Sequence, residues 1–204
     1  WEDINGDNKI NGLDREVVGN IFPKVTGGFS STLSWKGISL YARFDYALGH
    51  TLYNDLAART LGQYQGAFNI ITEVKDMWSE DNPNSDLPAF YYADQLAKKN
   101  ITRSNNASAS RHNNSSRLYE KADYLALREL TLSWDLPKAW TSKAFIQNAS
   151  VYVTGQNLFY VTGYTGTSPE PVLTNSDNNE NLYGVDQGRY PTPRTVLFGL
   201  SVTF

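Results

Sequence analysis

The sequence contains no cysteine, which excludes disulfides, thiolate catalysis and cysteine-ligated zinc together and leaves the redox compartment open. Histidine is scarce: His50 and His112 are the only two, and neither has a cysteine or HExxH partner that would point to a metal or a general base. No run approaches the ~18 consecutive apolar residues of a transmembrane helix. That absence leaves a transmembrane barrel untouched, because its strands need only about 9–11 alternating residues each. Positive charge is not in excess either. The formal net charge is -3, which argues against a nucleic-acid surface.

Aromatic residues, by contrast, are plentiful, with 13 Tyr, 9 Phe and 5 Trp. An amphipathic aromatic load suits carbohydrate-binding surfaces and membrane-interface belts. The chain opens at Trp1 with no initiator or targeting segment, so a processed or partial chain is expected.

The opening WEDINGDNKINGLDRE places an acidic or amide residue at nearly every second position. Asp3, Asn5, Asp7, Lys9, Asn11 and Asp14 fall at positions 1, 3, 5, 7, 9 and 12 of a calcium-type loop. Ca²⁺ wants about six to eight oxygens, and a curled loop aims alternate residues at one centre. Lys9 would give only its carbonyl and Asp14 would close the sphere, while Asn8 stands where such loops need a residue tolerant of positive φ. The closing Asp is shorter than the usual Glu. A succession of turns capped by Asp and Asn side chains explains the same residues, and both readings stand.

Beyond this loop the dominant period is two. FSSTLSWKGISLYARFDYALG reads as two strands joined at Trp35-Lys36-Gly37. In the second, Leu40, Ala42, Phe44, Tyr46 and Leu48 share a face opposite Ser39, Tyr41, Arg43 and Asp45, where Arg43 and Asp45 are expected to pair. YLALRELTLSWDLP alternates Leu130, Leu132 and Trp134 with Glu129, Thr131 and Ser133. ASVYVTGQNLFYVTGYTG is another strand, and PRTVLFGLSVTF ends the chain with Val196, Phe198, Leu200, Val202 and Phe204 on one face. Short helices are expected around 53–61, 68–78 and 91–99. The segments are a loop (1–23), a hairpin (24–50), a long loop (51–121), a hairpin (122–158), a second long loop (159–193) and a last strand (194–204). Long connections alternate with short ones, as in an outer-membrane barrel with long extracellular loops and short periplasmic turns.

Four stretches in this order, DINGDNKINGLDREVVGN with PKVTGGFSSTLSWKGISL, YLALRELTLSWDLP, VYVTGQNLFYVTGYTGTSPE and YPTPRTVLFGLSVTF, resemble the C-terminal part of the SusC/RagA-type TonB-dependent outer-membrane transporters of Bacteroidetes. The resemblance implies an all-β fold: antiparallel strands forming the C-terminal part of a transmembrane β-barrel of about 22 strands, with long extracellular loops. It implies no enzyme but part of an importer. Its partners would be the rest of the barrel and its plug, TonB, outer-membrane lipid and a SusD-like lipoprotein that closes as a lid. The cargo would be an oligosaccharide or, less favoured by the Tyr- and Asn-rich loops, a peptide. A bound Ca²⁺ would brace an extracellular loop, and Phe204 would match the aromatic end by which such barrels are assembled. Phe44, Tyr46, Leu130, Leu132, Trp134, Phe198 and Leu200 are read as lipid-facing.

Trp78, Phe90, Tyr91 and Tyr92 are candidates for contact with the ligand or the lid, beside plain loop packing. Asp76, Glu80, Asp81 and Asp86 are read as solvated loop carboxylates, not as a glycosidase pair. The competing reading is a secreted β-sandwich that binds carbohydrate through exposed aromatics and uses Asp3–Asp14 as a calcium staple.

Overall fold

The computed structural model describes residues 2–9, 12–61, 69–87, 116–170 and 183–204. The chain divides into two compact units, one of Pro23–His50, Ala122–Tyr164 and Tyr190–Phe204, the other of Trp1–Phe22, Thr51–Lys121 and Thr165–Arg189.

The first unit is a five-stranded antiparallel sheet of β1 (Val25–Trp35), β2 (Ile38–Leu48), β5 (Tyr124–Asp135), β6 (Asn148–Thr162) and β8 (Thr195–Thr203), paired in that order. The strands of this sheet pair in chain order, so each connection joins neighbours. β1 and β2 turn at Lys36-Gly37, with φ of 48° and 84°. A two-residue hairpin turn with both φ positive matches the twist of the flanking strands, and Gly37 meets that requirement without a Cβ cost. β5 ends before Pro137, which has no N–H for a ladder, and the link to β6 carries a short helix, α2 (Lys138–Thr141), and a 3-10 turn at Ser142–Ala144.

The ladder is interrupted once on each side of β5. Arg43 pairs with Glu129 but Phe44 with Leu127, so Arg128 is an extra residue against β2. Against β6, Leu127 pairs with Phe159 and Glu129 with Gln156. Asn157 lies in that second irregularity at φ 52°. A bulge of this kind re-aims a side chain without ending the sheet.

The second unit holds a small sheet in the order β4 (Tyr119–Lys121), β3 (Thr51–Asn54), β7 (Val185–Asp186), in which β3 and β7 run parallel. β3 leads directly into α1 (Asp55–Thr60), capped by Asn54, whose side chain accepts from Ala57 N at 2.9 Å. The segment read as a helix from residue 53 therefore begins as strand, because Tyr53 and Asn54 find partners far away in the chain. Within 68–78 the described helical part is only the 3-10 turn Thr72–Asp76. The helix expected around 91–99 lies outside the described residues. A core of Tyr53, Ala58 and Leu118 holds this unit, with Tyr53 and Tyr119 rings 5.0 Å apart.

Candidate functional site: a two-faced sheet and a clamped loop

The five-stranded sheet has two chemically opposite faces. Cross-strand partners form continuous apolar rows: Leu33, Leu40, Leu132, Val153 and Phe198 in one, Trp35, Ile38, Trp134, Val151 and Leu200 in the next. Phe29 stacks on Phe44 at 4.9 Å in a third row. These side chains are not covered. Phe198 is 83% exposed, Leu200 and Leu33 each 66%. A contiguous apolar surface of this extent marks an interaction surface, with lipid or with protein.

The opposite face is polar and internally bonded. Arg128 donates through Nη2 to Asp45 Oδ2 at 2.9 Å, through Nε to Asp45 Oδ1, and through Nη1 to the Tyr160 hydroxyl at 2.8 Å. Thr131 and Thr154 share a hydroxyl bond of 2.8 Å, as do Ser34 and Ser39. Asp45 thus pairs across the sheet with Arg128, and the expected Arg43–Asp45 pair does not form: residues two apart on a strand share a face, but the bulge brings a bidentate guanidinium to the carboxylate from the next strand. Beside this pair lies an open notch of about 530 Å³ lined by Gly28, Ser30, Arg43, Asp45 and Arg128 among others. Within this lining a Cβ on Gly28 would come within 2.9 Å of the Phe44 carbonyl oxygen, so the close approach of the backbone there favours glycine.

In the second unit two carboxylates grip the segment Thr165-Gly166-Thr167. Glu120 accepts from Thr165 N and Thr165 Oγ1, each at 2.9 Å, and from Asn54 Nδ2 at 2.9 Å. Asp186 accepts from Thr167 N and Thr167 Oγ1, each at 2.8 Å, and from Gly188 N at 2.9 Å. Asn54 and Asp186 are buried. Glu170 contributes a local bond, its N–H donating to Ser168 Oγ at 3.3 Å. Spacing alone gave no role to this tripeptide region, because both clamps come from residues remote in sequence.

The loop at the start of the chain curls on its own side chains. Asp3 accepts from Gly6 N at 2.8 Å, Asp7 N at 3.2 Å and Asn8 N at 2.6 Å. Asn5 accepts from Asp7 N at 3.0 Å, Asp7 from Lys9 N at 2.8 Å, and Asp14 from Ile4 N at 3.1 Å. Asn8 takes φ 62°. Asn11 lies outside the described residues, as do Phe90, Tyr91, Tyr92 and His112. Trp78 is 44% exposed and donates its backbone N–H to Leu87 O at 2.8 Å. His50 is buried, its ring edge-on to Tyr124. Burial pushes the Tyr119 hydroxyl above its usual pKa, with Arg15 pulling the other way, and lowers that of Arg117.

No family model matches the chain. It is 31% identical over 207 residues to TonB-dependent receptor P3 of Formosa agariphila, covering 100% of this chain and 19% of that protein. TonB-dependent receptor P26 of the same organism is 30% identical over 205 residues, again across 100% of the chain and 19% of the relative. The chain therefore spans about a fifth of the length of these relatives. Among solved structures, the RagAB peptide transporter superposes with a TM-score of 0.68 at 27% identity, over 92% of this chain and 18% of that one. The RagAB peptide importer in its closed-closed state gives 0.65 at 26% identity, with the same coverage.

These structures are described as peptide carriers, which overturns the preference for an oligosaccharide over a peptide. Exposed aromatics and amides bond to peptide groups as readily as to sugar hydroxyls, so loop composition could not separate the two. The β-sandwich alternative falls with the same comparisons. The chain belongs to the SusC/RagA-type TonB-dependent transporters of the outer membrane, as a fragment that resembles part of their β-barrel.

Proposed function

We propose that this chain is a piece of the wall of a TonB-dependent importer that carries peptides across the outer membrane. The observation that carries the reading is the single meander with an apolar row on one face and a bonded polar network on the other. Such a sheet is stable where one face meets hydrocarbon and the other a wet lumen. Its apolar rows, including Phe44, Tyr46, Leu130, Leu132, Trp134, Phe198 and Leu200, face lipid, and further strands close the barrel to about 22. The connections 51–121 and 163–193 stand on the extracellular side, where a SusD-like lipoprotein covers the entrance, and Trp78 with Phe90, Tyr91 and Tyr92 contacts the cargo or that lid. Release inward is driven by TonB acting on a plug outside this chain. The peptide reading rests on the RagAB likeness.

We propose further that Asp3, Asn5, Asp7, Lys9, Asn11 and Asp14 hold a structural Ca²⁺. The donor set suits a hard cation, and a carboxylate oxygen that accepts one N–H keeps lone-pair capacity for a metal. Asn8 at φ 62° gives the sharp bend such a loop needs.

The deciding experiment is extraction of the native complex in detergent, with mass analysis of the protein partners and of the cargo released on denaturation. The reading expects a large barrel polypeptide containing this sequence, a surface lipoprotein, and short peptides. A detergent-independent, monodisperse 22.9 kDa protein overturns the barrel; sugars in place of peptides overturn the cargo.

A further inference from the structure

The notch beside Asp45 and Arg128 is bordered by more donors than the sheet uses. The Arg128 guanidinium is committed to the Asp45 carboxylate and the Tyr160 hydroxyl. Arg43 is uncommitted. It lines the same notch, is exposed, and forms no hydrogen bond or ion pair among the described residues. Ser30 stands opposite Arg43 in the β1–β2 ladder and lines the notch too, and among the described residues its hydroxyl has no partner. Gly28, opposite Asp45, adds no side chain to the space between them.

Two carboxylates could have claimed Arg43. Asp45, on its own strand, is taken by Arg128, which the bulge delivers from β5. Glu129 pairs with Arg43 in register on β5, but its carboxylate accepts from Thr131 Oγ1 at 3.3 Å, and no ion pair among the described residues joins it to Arg43. The charges of this patch define what would bind. Arg43 and Arg128 are balanced by Asp45 and Glu129, so a multiply charged anion meets no excess of positive field. A single carboxylate gains the planar fork of Arg43, whose two parallel N–H···O bonds a neutral amide cannot match in strength, with the Ser30 hydroxyl as a third donor.

We infer that Arg43 and Ser30 form a carboxylate subsite on the polar face of the sheet, which takes the C-terminal carboxylate of a peptide cargo or an acidic side chain within it. The inference rests on the peptide reading proposed above and goes beyond it by naming the group on the cargo that this wall recognises. Arg43 supplies the selectivity. Glu129 tempers it, because its negative charge in the same cross-strand row opposes a second carboxylate.

The test uses the native complex purified in detergent and three synthetic decapeptide libraries of mixed sequence. The first has a free C-terminus and no Asp or Glu, the second is the same with an amidated C-terminus, and the third is amidated and carries one Glu. Peptides retained by the complex are quantified by mass spectrometry. The first or the third library, according to which carboxylate is the source, is expected to be retained about tenfold better than the second, as a charge-assisted bond requires. Arg43→Gln should bring that ratio to about one while leaving retention of the second library unchanged, and Arg43→Lys should restore it only in part. Glu129→Gln should raise it, by removing the neighbouring negative charge. Equal retention of all three libraries by the wild type, or a wild-type ratio persisting in Arg43→Gln, overturns the subsite and leaves the peptide reading standing. Retention of no library overturns the peptide reading, and the subsite with it.

Discussion

Arg128 of β5 holds Asp45 of β2 across the sheet, through Nη2 at 2.9 Å and through Nε, while Arg43 on Asp45's own strand stands outside the pair. The pair is partly screened, with side chains 18% and 35% exposed, so its contribution falls below that of a fully buried one. Arg128→Ala is expected to cost about 1–2 kcal/mol. Arg128→Lys should recover little of this, since lysine lacks the planar fork. Tyr160→Phe should cost less than either, because the guanidinium still lies 5.3 Å from the ring centroid. Urea unfolding of the full barrel in vesicles ranks the three.

The two faces predict opposite tolerance to charge. Phe198→Lys is expected to destabilise the membrane-embedded barrel by about 2–4 kcal/mol, the cost of lysine on a lipid face near the midplane. Ser201→Lys, on the other face of the same strand, should fall within about 0.5 kcal/mol. If the sheet lay in water, replacing a side chain 83% exposed would be as neutral as the serine change. The same unfolding assay decides.

Glu120→Gln and Asp186→Asn each turn a double acceptor into a mixed donor and acceptor facing a threonine amide and hydroxyl. Each is expected to loosen the 165–189 stretch by about 1–3 kcal/mol and speed its cleavage by a protease added outside the cell. The unfolding midpoint of the five-stranded sheet should not move. Thr165→Val and Thr167→Val, which remove the hydroxyl donors but keep the amides, should show a smaller effect.

Tyr119 gives a pH dependence in the second unit. Its pKa is raised above 10.0 chiefly by burial, so the folded state favours the neutral phenol. The resulting stability is complete below about pH 10 and is lost as pH rises through the raised value. Titration of the tyrosinate absorbance should place one tyrosine late, and Tyr119→Phe should remove that component of the alkaline loss.

Chelation tests the opening loop. With Ca²⁺ at about a hundred times its Kd, bound metal adds about 2.7 kcal/mol. Proteolysis within residues 3–14 should therefore accelerate when the metal is removed, and Asp3→Asn should abolish the difference. Equal cleavage with and without chelator leaves only the turn network.

The strands were legible because an alternation of period two survives any change of neighbour; the rows of β2, β5 and β8 follow it directly. Partners across strands were not, and Arg43 was assigned to Asp45 for that reason. A signal was nevertheless present in YLALREL, where Leu125 and Leu127 fall out of phase with Leu130 and Leu132. Two consecutive polar residues, Arg128 and Glu129, mark the break, and a break in phase within a strand is a bulge. The Thr165 and Thr167 clamps had no such signal. Their partners lie 45 and 19 residues away, beyond the reach of any local pattern. The last two residues of β3, Tyr53 and Asn54, were read as the start of a helix because helix propensity is local and the pairing of β3 with β4 and β7 is not.

The long connection between β2 and β5 leaves the sheet through a narrow neck. Gly49 N donates to Asp123 Oδ1 at 2.5 Å and Ala122 N to His50 O at 3.0 Å, so the polypeptide departs and returns at one point of the ladder. Loop-closure entropy grows only as the logarithm of loop length, and with its ends already joined, whatever lies between them can lengthen, shorten or be replaced at small thermodynamic cost to the strands. The neck is thus expected to act as a splice point, at which the length between its ends changes while β2 and β5 stay paired.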